Sequence, residues 1–151
     1  MKNEFYALLF LAFLFSCKKD EQSMLSTSNT ILTNPTWIIQ KATGKGGGYN
    51  FSFDKNVGND PFQFTKVRIK LESLGTITGI DNNGNNISGA TWKYSETDKK
   101  LEISGSNIFG IDGTHQVITI ESSLVELKNE LKVPQLNNAI MELNATLIPL
   151  K

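Results

Sequence analysis

From Pro35 onward the chain is built of short runs whose apolar residues fall at every second position, separated by clusters of Gly, Asn, Asp and Ser. Tyr49, Phe51 and Phe53 alternate with Asn50 and Ser52. Leu101 and Ile103 flank Glu102. Met141, Leu143, Ala145 and Leu147 alternate with Ile140, Glu142, Asn144 and Thr146. A period of two is that of a strand with one face buried, and it cannot serve a helix, whose faces repeat every 3.6 residues. One stretch fits both. In Leu124–Val133, Leu124, Leu127 and Leu131 have helical spacing, whereas Val125, Leu127, Leu131 and Val133 alternate around Asn129. Pro134 ends either element. The neighbours favour strand, and the connection from Ile120 is too short for a crossover.

The other runs complete the pattern. Trp37–Gln40 opens the domain, and Thr43–Gly48 reads as a flexible glycine loop. Asp54–Pro61 is turn chemistry. Phe62, Phe64, Val67, Ile69 and Leu71 form a strand that slips by one residue at Thr65-Lys66, which a β-bulge would absorb. Gly75–Ile80 is a strand, Asp81–Asn86 a hairpin turn, and Trp92 and Tyr94 lie on the return strand, with Trp92 expected in the core. After a turn at Thr97–Lys100, Leu101 and Ile103 form a strand. Ser104–Thr114 is a glycine-rich connection, and Val117, Ile118 and Ile120 mark the strand after it. About eight or nine strands with short turns and no firm helix predict an all-β fold, an antiparallel barrel or sandwich, and a barrel would leave no exposed edges.

Ahead of this lies Met1–Cys17. Lys2 starts it, and Phe5–Phe15 is an unbroken apolar run. Eleven residues of helix span about 16 Å, against roughly 30 Å for a bilayer core, so the run reads as a secretory signal rather than a membrane span. Leu14-Phe15-Ser16-Cys17 closes it and resembles a bacterial lipoprotein signal. That resemblance implies removal of residues 1–16 and lipidation of Cys17, the single cysteine of the chain. Several acyl chains, at about 0.8 kcal/mol per buried CH₂, anchor stably where one does not. The alternative is an ordinary signal peptide with a chance cysteine. Lys18, Lys19, Asp20 and Glu21 resemble the export signal of surface-exposed lipoproteins in Bacteroidetes. The resemblance implies a place at the outer membrane, on the cell surface or else on the periplasmic face. Residues 17–34 read as a polar, lipid-anchored tether, and residues 35–151 as the domain.

The formal net charge is zero. No basic excess calls for nucleic acid, and no second apolar run calls for a membrane span. A lipidated Cys17 leaves no thiol for a disulfide, a metal or a nucleophile. The order of features is a Trp near the start, Phe-x-Phe, Gly75-Thr-Ile-Thr, Trp92-x-Tyr94, Leu-x-Ile and Val-Ile-Thr-Ile. It resembles the lipocalin-like, calycin-type domains of Bacteroidetes lipoproteins over roughly residues 35–150. The resemblance implies an up-and-down barrel after a signal peptide and tether. The Gly-x-Trp of true lipocalins and their paired cysteines are absent.

The polar candidates read as structural. His115 is the single histidine, with Asp112, Ser104, Ser106 and Ser122 nearby. A solvent-facing loop histidine is a better account than a nucleophilic triad, which needs these groups to converge. Asp81, Asn83 and Asn85 alternate as in a calcium loop, but Asn86 and Trp92 stand where that loop needs Gly and Glu. Asp54, Asn56, Asn59 and Asp60 form a second oxygen-rich turn. Gly44–Gly48 lacks the Ser or Thr of a phosphate loop. No cofactor, metal or catalytic residue is expected, and the chain does not read as an enzyme. The aromatics Trp37, Tyr49, Phe51, Phe53, Trp92 and Tyr94 are the candidate ligand contacts, since a ring at a barrel mouth can stack on a sugar or an apolar molecule. Two functions follow. An open barrel would bind a small apolar ligand or glycan, and a filled one would act by contact with a protein partner.

Overall fold

A computed structural model describes residues 26–133 and 138–151. The signal sequence, Cys17, Lys18, Lys19, Asp20, Glu21, the start of the expected tether and Pro134 lie outside the described residues.

Among the described residues nine strands follow one short helix: β1 Trp37–Gly46, β2 Tyr49–Asp54, β3 Arg68–Leu71, β4 Thr76–Ile80, β5 Ala90–Ser95, β6 Lys100–Ser104, β7 Gly113–Glu121, β8 Leu124–Val133 and β9 Ala139–Pro149. From β3 to β9 each strand pairs antiparallel with the next, and β9 returns to pair with β1, from Trp37↔Pro149 to Lys45↔Glu142. That last ladder closes an eight-stranded barrel. The ninth strand is additional, because β2 and β3 share one edge of β1. β2 pairs with Lys41–Gly46, and β3 meets Trp37 through Ile69. Leu124–Val133 is strand over its whole length, as its neighbours required.

Register sets the core. Ile39 and Val125 both pair with Leu147, while Ala42 and Leu127 both pair with Ala145. Gly44 and Asn129 both pair with Leu143, so successive rows of side chains run along the wall made by β1, β9 and β8. Trp37, Phe53, Phe64, Ile69, Leu71, Ile77, Leu101 and Val117 fill the rest.

Three local expectations are corrected. Thr43–Gly46 is strand rather than flexible loop, and only Gly47-Gly48 turns. The reason is steric: a Cβ on Gly44 would overlap the ring of Phe51, so a glycine lets that ring lie flat against β1. At Thr65-Lys66 a 3-10 turn, Phe64–Lys66, replaces the expected bulge. Asp60 induces it, because its carboxylate accepts the Phe64 N–H at 2.6 Å and the Thr65 N–H at 2.8 Å. The last part of the expected tether is helix α1, Thr27–Thr33. Its apolar content is small, but Leu32 is 1% exposed and joins the core. Contacts from outside hold it. Ser26 caps its N-terminus by accepting the Asn29 N–H at 3.2 Å. Trp37 Nε1 donates to the Leu32 carbonyl at 2.8 Å. Lys70 Nζ donates to the carbonyls of Thr33 and Asn34 at 2.6 and 2.8 Å, where the helix dipole favours a cation.

α1 therefore lies over the end of the barrel where β1 begins and β9 finishes, beside the β3–β4 and β5–β6 turns. The Asp81–Asn86 hairpin turn and the β6–β7 loop stand at the other end.

Candidate functional site

The end away from α1 is shut by phenylalanines. Phe51 packs edge-on to Phe62 and Phe109, with centroids 4.8 and 5.9 Å apart. Phe64 lies 5.2 Å from Phe53 and 5.6 Å from Phe62. Asn82 links the segments that carry these rings. Its Nδ2 donates to the Phe62 carbonyl at 2.6 Å, and its Oδ1 accepts the Phe109 N–H at 3.0 Å. Behind the rings, the space beside Ile39, Ala42, Phe64 and Leu143 has a volume of about 10 Å³. That holds at most one water, against roughly 300 Å³ for the smallest usual ligand pocket.

The six candidate aromatics divide accordingly. Trp37 and Phe53 are core, at 0% and 1% exposure, and Phe51 belongs to the aromatic plug. Tyr49, 58% exposed, stands alone at the rim near the β1–β2 turn. Trp92 and Tyr94 are half-buried on the inward face of β5, opposite Ile103 and Leu101. Trp92 is thus not the fully enclosed core residue expected. β5 runs on past the end of β4, so one side of the ring is left open, and its Nε1 donates to the Glu72 carbonyl at 2.9 Å. With Asn29, Ser73 and Gly75 the two rings line a shallow groove of about 180 Å³ under α1. They are the two candidate contacts that the fold brings together beside open space.

His115 is not a loop residue. It lies on β7, opposite Leu101, and is 1% exposed inside the barrel. Its Nε2 donates to the Ile111 carbonyl at 2.6 Å. Burial pushes its pKa below the ordinary histidine value, against the opposing pull of the Ile111 carbonyl and the Asp112 charge. Ser106 Oγ is bonded to Asp112 at 2.7 Å rather than to the imidazole, and Asp112 also accepts the N–H groups of Ser106 and Asn107. These three side chains organise the β6–β7 loop and form no proton relay.

The acidic turns are occupied by their own backbone. Asp81 accepts the N–H groups of Asn83 and Asn85, both at 2.8 Å, and the Asn85 bond leads in holding its pKa down. Asp54 accepts the Asn56 N–H at 2.9 Å and pairs with Lys41 at 3.2 Å, and both lower its pKa. Among the described residues no group of three His, Cys, Asp or Glu is placed to hold a metal ion. No described helix is long and apolar enough to cross a membrane.

Asn82, Gly44 and Lys70 escape the sequence reading. Asn82 is one of four asparagines in six residues, and only the fold separates it from Asn83, Asn85 and Asn86. Searched against protein-family models and curated proteins, the chain has no match.

Proposed function

We propose that the chain is an envelope lipoprotein, anchored through Cys17, whose filled barrel works through its outer surface by contact with a protein partner. One observation carries the choice between a binding barrel and an interaction barrel: the interior beside the phenylalanine plug offers about 10 Å³. A small apolar ligand has no room there, and four of the six candidate ligand contacts lie outside the groove. The anchoring half rests on the Leu14–Cys17 sequence, and cell-surface display on Lys18–Glu21. The closed antiparallel barrel is compatible with the lipocalin-like domains of Bacteroidetes lipoproteins.

Native mass spectrometry of the protein purified from its own envelope tests both halves. The expected spectrum shows the chain from Cys17 with added acyl mass and a second polypeptide in fixed ratio. A small molecule retained in stoichiometric amount, with no polypeptide partner, would overturn the interaction reading. An unmodified Cys17 would overturn the anchor.

A further inference from the structure

The place where α1 begins decides which end of the barrel lies near a lipid anchor. Ser26 caps α1 over the end bearing the β3–β4 and β5–β6 turns, where the Glu96 carboxyl meets Ser28 and Ser26, whose hydroxyls hold its pKa down. The chain from Cys17 to Ser26 reaches at most about 30 Å when fully extended, and about 15–18 Å as a flexible coil. A barrel strand of β1's length, rising about 3.3 Å per residue, is roughly as long as that maximum. An anchor reached along the whole wall, from the far end, would need nearly full extension. We propose that the α1 end is a membrane-contact surface, seated on the lipid layer that holds Cys17. This rests on the anchoring reading above.

That end carries the residues such a contact needs. Leu74, at the tip of the β3–β4 turn, is 93% exposed. The turn is tight: Gly75 has φ +83° and its N–H donates to the Glu72 carbonyl at 2.9 Å. A fixed turn therefore presents the leucine outward. Leu150, 45% exposed, is held at the same end by its N–H on the Thr36 carbonyl at 2.7 Å. Trp92 and Tyr94 stand half-buried next to the Leu74 turn. Their rings have an apolar body and a polar tip, the combination favoured at a membrane–water boundary. Charge does not drive the contact, since Lys93, Lys99 and Lys100 at this end stand against Glu72, Glu96 and Asp98. The attraction is apolar and only weakly sensitive to salt.

The test uses the full chain extracted from its envelope, with intact mass read first. Leu74→Cys and, in the opposite end's hairpin turn, Asn83→Cys are each labelled with an environment-sensitive fluorophore, Cys17 being blocked by its lipid. Each is reconstituted into phosphatidylethanolamine–phosphatidylglycerol vesicles containing a spin-labelled lipid. The expected result is quenching several-fold stronger at position 74 than at position 83. Acylated protein with equal quenching at both, or stronger quenching at 83, overturns the contact surface and leaves the anchor standing. Protein without acyl mass overturns the anchor and the contact surface together.

Discussion

Phe62 and Phe109 stack face to face, with centroids 4.2 Å apart and planes 8° from parallel. One comes from the connection between β2 and β3 and the other from the β6–β7 loop. Asn82, from a third segment, bonds the backbone of both. The aromatic plug is therefore fixed by a polar bracket as well as by ring packing.

Replacing Asn82 by Ala removes that bracket and leaves a carbonyl and an N–H without their partner. The expected loss is about 1–3 kcal/mol of stability by chemical denaturation. Hydrogen exchange at the Phe109 amide should quicken in parallel. Unchanged stability would mean that the rings hold the three segments unaided.

Gly44→Ala places a methyl group where the Phe51 ring lies. Overpacking of this kind costs about 1–3 kcal/mol. The cost belongs to the pair, so in a Phe51→Ala background the same change should cost far less. A double-mutant cycle in urea measures the coupling, and an additive result would refute the steric account.

His115 predicts a pH window. In the unfolded chain its pKa is near 6.5, and in the barrel burial holds it lower. Below about pH 6.5 the unfolded state takes up a proton that the folded state refuses. Stability is therefore complete above that pH and falls as pH drops toward the folded pKa, by at most about 1.4 kcal/mol per unit. His115→Gln keeps a donor for the Ile111 carbonyl without a titrating group. Urea midpoints measured from pH 7.5 down to 5 should fall for the wild type and stay flat for the variant. Equal slopes would place the titration elsewhere.

The strands were legible because their alternation survives in single residues. Leu101 and Ile103 face in with Glu102 out, and Met141, Leu143 and Leu147 do the same along β9. His115 was obscured because Gly113 and Thr114, which begin its strand, read as loop. Its inward direction follows from pairing with Leu101, a partner that local sequence does not reveal. Helix α1 was hidden for a different reason. Its residues TSNTILT carry no apolar stripe, and so short a helix is marginal alone. Its stability comes from Trp37 and Lys70, beyond its own sequence. Of the candidate contacts, Trp92 and Tyr94 could be placed on one strand face by their spacing. The end of β4 that opens space beside them could not be foreseen.

The β1–β9 ladder joins the first of the described strands to the last. Every other partner of β1 is made early in the chain, and the strands from β3 onward zip as neighbouring hairpins. Loop closure between the two ends is the costly step, and such distant pairings slow folding. During synthesis β1 waits with one edge bare until β9 has been made. Loss of even the C-terminal strand would leave an open, curling ribbon with two sticky rims, the form of this chain most prone to aggregate.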